Sequence, residues 1–139
     1  MRKNGFTLIE LLLVVVIISV LVAMAAPRIM PRSEEAKVAA CRADIESNLS
    51  MALDLFDLDM GRYPTSEEGL EALIQAPVQA ENWKGPYLKK KRLPKDPWGN
   101  SFVYKCPGEK NRGDYDLYSL GKDGVEGGGD DVTNWEEDL

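Results

Sequence analysis

The chain contains no histidine, so it has neither an imidazole general base nor an imidazole metal ligand. Cysteine is nearly absent: Cys41 and Cys106 are the only two, and no histidine stands by to activate either thiol. Cationic side chains are outnumbered 17 to 23 by acidic ones, for a net charge of −6. That balance argues against nucleic acid as a partner, because nothing gathers to neutralise phosphates. No internal repeat is present. Paired acids such as Glu67-Glu68 and Asp130-Asp131 are the residues left for hydrolytic chemistry of the two-carboxylate kind. Their settings are instead those of a helix cap and a cation-binding loop. The expectation is a protein that is not an enzyme.

What the chain does have begins at residue 6. Phe6 to Ala26 forms an apolar run interrupted only by Thr7, Glu10 and Ser19. At 1.5 Å per residue such a run is about 30 Å long as a helix, the thickness of a hydrocarbon core. The predicted membrane and assembly helix covers residues 6–29. Arg2 and Lys3 precede it, so the positive-inside rule keeps the leader cytoplasmic and exports the bulk of the chain. A secretory signal has its small-residue cleavage site after the apolar segment, whereas here Gly5 comes before it. Cutting between Gly5 and Phe6 would leave the helix attached and take the net charge from −6 to −8 as Arg2 and Lys3 depart. Glu10 would then lie five residues from a new amine. A charge at that depth costs roughly 2.5–3.5 kcal/mol on insertion scales, so a partner is expected. In a fibre, Glu10 of one subunit can neutralise the Phe6 amine of a neighbour; otherwise it is a juxtamembrane acid near the headgroups.

At 139 residues, one small domain fits beyond that segment, here residues 30–139. Val38, Cys41, Ile45, Leu49, Ala52, Leu53 and Phe56 recur at steps of three and four, with charged residues between them. This predicts one long helix from about Phe6 to Leu58, weakened near 27–32 by Pro27 and Pro31. Gly61-Arg62-Tyr63-Pro64 ends it. Thr65-Ser66-Glu67-Glu68 reads as a capping box opening a short helix over 66–75. Residues 76–100 read as loop, and 101–120 as a β-hairpin with strands at 101–105 and 115–120. The fold class is therefore α+β, a long helix packed on a small antiparallel sheet. In an exported, oxidising compartment Cys41 and Cys106 can pair; the alternative is two buried free thiols.

Residues 120–131 crowd carboxylates among glycines. Asp123 and the Asp130-Asp131 pair can converge there, with a backbone carbonyl such as that of Leu120, in the all-oxygen shell that calcium takes. The spacing is not that of an EF-hand, and an acidic surface loop remains the competing reading.

The leader and apolar helix together resemble the class III leader of type IV pilins and pseudopilins. Three further motifs extend the likeness nearly to Trp135: Tyr63-Pro64-Thr65-Ser66-Glu67-Glu68-Gly69-Leu70, Trp83-Lys84-Gly85-Pro86-Tyr87-Leu88 and Leu93-Pro94-Lys95-Asp96-Pro97-Trp98-Gly99-Asn100. In that order they resemble the major pseudopilins (G subunits) of type II secretion systems. The resemblance implies a C-terminal calcium loop using the side chains of Asp123, Asp130 and Asp131 and the carbonyl of Leu120, with carbonyls near Val125 and Gly128. It implies cleavage and N-methylation of Phe6 by a prepilin peptidase. It also implies a single-pass subunit of a Gram-negative inner membrane with its C-terminal domain in the periplasm. Such subunits polymerise with one another, and with minor pseudopilins and an inner-membrane assembly platform, into a periplasmic fibre that drives export of folded proteins. The cysteine pair is not a feature the resemblance implies. Two rival expectations are a type IV pilin forming a surface fibre and a monomeric calcium-binding module tethered to the membrane.

Overall fold

The computed structural model describes residues 5–136, with backbone alone for residues 25–31. Helix α1 spans Leu8–Ala43, a π-helical turn follows at Asp44–Leu49, and α2 spans Ser50–Met60. Strands β1 (Val103–Lys105), β2 (Asp116–Ser119) and β3 (Val132–Thr133) form an antiparallel sheet in the order β1-β2-β3. The chain divides into two compact units, the first ending at Ala36 and the second beginning at Lys37.

In the first unit, Thr7 caps α1: its hydroxyl accepts the Glu10 N–H at 3.3 Å, and its carbonyl accepts the same N–H at 3.1 Å. Ser19 returns its hydroxyl to the Val15 carbonyl, so it adds no unmet donor to an apolar surface. From Phe6 to Met24 every side chain is exposed, with Phe6 at 78%. Helical backbone continues through Pro27 and Pro31, where weakening was expected. Among the described residues no helix is long and apolar enough to cross a membrane. The side chains of residues 25–31 are not among those described, so the last part of the expected 6–29 span lies outside the described side chains.

The second unit is organised by one helical stripe. Cys41, Ile45, Leu49, Ala52, Leu53 and Phe56 are each at most 2% exposed. The steps from 41 to 45 to 49 are four residues, and each overshoots an α-helical turn by about 40°. A π turn widens the helix where that mismatch accumulates. Ser50 closes it by donating both its N–H and its hydroxyl (2.7 Å) to the Ile45 carbonyl five residues back. Against this stripe pack Leu70, Leu73, Leu88, Phe102, Tyr115, Leu117 and Val132. Tyr115 also donates its hydroxyl to Ser50 Oγ at 3.1 Å, tying sheet to helix. The helix ends at Gly61 (φ +72°), whose N–H bonds the Asp57 carbonyl at 2.7 Å.

The capping box forms as the spacing predicts: Thr65 Oγ1 accepts the Glu68 N–H (3.2 Å), and Glu68 Oε2 accepts the Thr65 N–H (2.8 Å). The helix it was expected to open over 66–75 is instead a turn followed by a 3-10 helix at Leu70–Leu73. Gly69 breaks the run, with φ +62° and ψ −168°, outside helical space.

Glu68 has a second partner. Arg62 grips its carboxylate with two bonds of 2.6 and 2.7 Å, and this pairing, against the opposing effect of burial, holds the acid down at about 2. Because the folded pKa lies below the ordinary value of 4.5, the pair's stabilisation is complete above that value and is lost as pH falls through about 2. Arg62 is 43% exposed, so solvent screening keeps the contribution under about 1 kcal/mol. Glu68→Gln is expected to lower the neutral-pH melting temperature slightly, with the gap from the parent closing between pH 4.5 and 2. Parallel melting curves throughout that window would reject the assignment.

Residues 76–100 are loop, as expected, apart from an antiparallel bridge between Lys95 and Ser101. The loop is pinned by Trp83 Nε1–H to the Ala72 carbonyl (2.8 Å), by the Tyr87 N–H to the Leu73 carbonyl (2.8 Å) and by Lys84 to Asp59 (3.1 Å). The hairpin over 101–120 is present, with Val103, Tyr104 and Lys105 opposite Tyr118, Leu117 and Asp116. Strand β3 was not foreseen; at two residues it is too short to carry a periodic signal.

The pairing of Cys41 with Cys106 is not formed: both are free thiols. Cys41 is buried beside Ser119 at the end of β2, and burial pushes its thiol pKa up. Cys106 follows Lys105, whose partner Asp116 starts that strand. Three strand residues separate these places, about 10 Å, which exceeds the reach of a disulfide.

Candidate functional site

Two places hold the candidate functional residues, one in each unit. In the first, Glu10 lies in the opening turn of α1, where a carboxylate also favours the helix dipole. Gly5 and Phe6 precede the helix, and a Cβ added at Gly5 would meet nothing within 4 Å. Among the described residues, no packing contact requires glycine there.

The second place is the acidic loop between β2 and β3. Asp130 Oδ2 accepts the N–H groups of Lys122 (2.8 Å) and Asp123 (3.0 Å), drawing the two ends of the loop together. Asp123 Oδ1 accepts the Val125 N–H at 2.9 Å, and Asp131 Oδ2 accepts the Gly127 N–H at 2.7 Å. Gly127, Gly128 and Gly129 have φ of +95°, +82° and +88°, which side-chain-bearing residues rarely adopt. A Cβ at Gly128 would sit 3.0 Å from Asp123 Oδ2 and 3.5 Å from Asp130 Oδ1. Those two oxygens therefore flank a common point beside the bare glycine backbone. Among the described residues Asp131 Oδ1 is buried with no hydrogen-bond partner, a costly state for a carboxylate oxygen unless a cation satisfies it.

Of the six residues expected at a metal site, Asp123 and Asp130 are brought together at Gly128, and Asp131 contributes the orphaned acceptor. Leu120 is half-buried at the loop's start, and Val125 is 63% exposed. Among the described residues, no group of three or more Cys, Asp or Glu side chains is gathered closely enough to hold a metal ion by side chains alone. The donors are all oxygens and the loop offers several backbone carbonyls, so the set fits a hard, oxygen-seeking cation completed by backbone and water. Glu126 is engaged elsewhere: it accepts the Tyr118 hydroxyl at 3.0 Å and approaches Lys105 at 3.9 Å. Burial, with that bond adding to it, pushes the Tyr118 hydroxyl up to about 12.

Sequence reasoning missed the residues holding the loop's base. Asp96, Asn100 and Ser119 connect the turn at 96–100 to Gly121 by hydrogen bonds of 2.6–3.1 Å. The dense run of turn residues from Pro94 to Asn100 was the available signal, but nothing local indicates what such a turn will touch.

An amphipathic helix buried against a three-stranded antiparallel sheet, preceded by an exposed apolar helix and carrying an acidic loop, defines a pilin-type subunit. The comparisons agree. The family model described as Type II secretion system (T2SS), protein G, matches residues 28–135, and the prokaryotic N-terminal methylation motif matches residues 1–26. The chain is 48% identical to the type II secretion system core protein G of Pseudomonas aeruginosa, covering 97% of this chain and 96% of that one. It is 46% identical to the Escherichia coli K12 protein of the same name, over 96% and 92% of the two chains. The crystal structure of the major pseudopilin from the type 2 secretion system of enterohaemorrhagic Escherichia coli matches with a TM-score of 0.66 at 36% identity, over 76% of this chain and 88% of that one. The chain belongs to the type II secretion system protein G family.

Proposed function

We infer that this chain is a structural subunit of the pseudopilus of a type II secretion system, membrane-anchored and periplasmic. The observation that carries the reading is the exposed apolar surface from Phe6 to Met24, joined to a domain that buries its own core. Such a surface is unstable in water and needs either lipid or the same surface of other copies. One helix can use both in turn: as a single-pass anchor in the Gram-negative inner membrane before assembly, and as the packed centre of a fibre afterwards. Cleavage between Gly5 and Phe6 by a prepilin peptidase, with N-methylation of Phe6, prepares that transfer. Because nothing among the described residues crowds Gly5, a block caused by a bulky residue there would reflect the peptidase's pocket. The assembly platform and minor pseudopilins are the remaining partners. Extension of the fibre would push folded proteins toward the outer membrane.

Within the fibre, Glu10 pairs with the Phe6 amine of a neighbouring copy, removing two unpaired charges from apolar surroundings. Glu10→Ala is expected to leave membrane insertion intact, since it deletes a burial cost, while fibre yield and secretion fall at least tenfold. The assay is complementation of a strain lacking this gene, scored by sheared fibres and exported protein. Wild-type fibre yield from the variant would reject the pairing.

Calcium is the cofactor that fits the second place. Asp123, Asp130 and Asp131 would hold it, with the carbonyls of Leu120, Val125 and Gly128 as the backbone donors. When bound, it supplies positive charge that relieves the repulsion among three carboxylates and joins the two ends of the loop.

A further inference from the structure

The turn Asp96-Pro97-Trp98-Gly99-Asn100 takes no part in the processing or the helix chemistry above, yet its polar groups are among the most deeply engaged in the domain. Asp96 is 5% exposed. Its Oδ1 accepts the N–H groups of Trp98 (3.1 Å) and Asn100 (2.7 Å), while its own N–H bonds the Asn100 carbonyl at 2.9 Å. These bonds fix the turn. Its free carboxylate oxygen, Oδ2, accepts the hydroxyl of the fully buried Ser119 at 2.6 Å. Ser119 Oγ in turn accepts the Gly121 N–H at 3.1 Å, and Asn100 Nδ2 donates to the Gly121 carbonyl at 3.0 Å. The Gly121 carbonyl is thus held directly by a turn some twenty residues away in sequence, and its N–H is held through Ser119, which the same turn fixes.

Gly121 is the neck of the acidic loop. It is buried with φ +63°, and a Cβ there would collide with the backbone of Asp130. Lys122 and Asp123, the next two residues, are the ones whose N–H groups bind Asp130 Oδ2. Turning the Gly121 peptide would therefore displace the Leu120 carbonyl on one side and Asp123 on the other. The same side chain also lies near Gly124, where an added Cβ would sit 3.6 Å from the Asn100 side-chain oxygen.

We propose that Asn100, backed by the Asp96–Ser119 pair, is a positioning residue for the cation loop, clamping Gly121 so that Leu120, Asp123 and Asp130 face the cation before it arrives. The inference rests on the calcium reading. Its energetic content is preorganisation: without the clamp, the ion must supply the free energy of ordering the loop neck, and affinity falls. Groups that orient ligands without touching the metal typically matter by 10–100-fold in affinity.

The test uses the full-length chain in detergent micelles, titrated with calcium chloride by calorimetry and melted with and without calcium. Asn100→Ala is expected to weaken calcium binding at least tenfold and to shrink the calcium-dependent rise in melting temperature. Thr65→Ala serves as the control for simple destabilisation, because it removes a capping bond outside the loop. It should lower the melting temperature equally with and without calcium and leave the dissociation constant unchanged. Should the alanine variant not fold, Asn100→Ser, which keeps a hydroxyl donor on a shorter arm, is judged by the same constant. Calcium affinity within twofold of the parent in the folded Asn100 variant overturns the clamp while leaving the calcium reading intact. A parent chain that gives neither binding heat nor a melting shift overturns both.

Discussion

Replacing Asp116 with alanine is expected to cost about 3 kcal/mol of folding stability. The residue is 2% exposed at the first position of β2. Its Oδ2 accepts the N–H groups of Glu109 (2.7 Å) and Lys110 (2.9 Å), and its Oδ1 accepts that of Asn111 (2.8 Å). Burial alone would raise its pKa; the three amide donors, with Lys105 nearby, outweigh that and leave it lowered. The folded pKa lies below the ordinary value, so the anchor stabilises fully above about pH 4 and fails as acid protonates it. Alanine would strand three amides in the hairpin connection, each worth roughly 1 kcal/mol or more once its acceptor is gone. Asparagine keeps the shape but turns a donor toward donors, and should recover little. For a domain of this size the loss corresponds to a fall of about 12–24 °C in melting temperature. Gly108 offers an independent approach: a Cβ there would lie 2.6 Å from Asp116 Oδ1 and 2.7 Å from the Asn111 carbonyl. Asp116→Ala melting within about 3 °C of the parent at pH 7 would show that the connection does not depend on the carboxylate.

Calcium at one hundred times its dissociation constant is expected to add about 2.7 kcal/mol, because it binds the folded loop and not the unfolded chain. Asp123→Ala is expected to abolish that gain. Asp123 Oδ2 faces Gly128, while Oδ1 makes one local bond to Val125, so the calcium-free protein should lose little. Asp130→Ala should behave differently. Its Oδ2 holds the N–H groups of both Lys122 and Asp123, so this variant is expected to lose calcium-free stability as well. Magnesium should substitute poorly, since it demands a tighter octahedral shell. An unchanged calcium-dependent melting shift in Asp123→Ala would reduce the loop to an acidic surface turn.

The long helix was readable because its evidence is periodic: apolar residues at steps of three and four over about five turns cannot be mistaken for another element. The π turn within it was not, since four-residue steps suit both an α-helix and a slightly underwound one, and only the fit of the stripe to the sheet selects the wider turn. The capping box was legible in Thr65 and Glu68, but the helix beyond it was over-read, because one glycine outweighs a good start signal when its backbone leaves helical space. Both hairpin strands could be placed from turn residues and alternation. The third strand has two residues and no pattern to find.

By itself, then, the sequence determined the elements whose signal is local or periodic: the leader, the apolar helix, the amphipathic stripe, the capping residues and the carboxylates crowded into a glycine-rich loop. Only the tertiary structure decided which of those groups meet. It kept Cys41 and Cys106 apart at opposite ends of β2, brought Asp123 and Asp130 together beside a bare Gly128, and left Asp131 Oδ1 without a donor among the described residues. It buried Asp96 and Ser119 so that a turn near residue 98 holds the neck of a loop at residue 121. Periodicity and capping depend on neighbours within a turn or two along the chain. Convergence of buried polar groups depends on how strands and loops pack across the core, which no local pattern records.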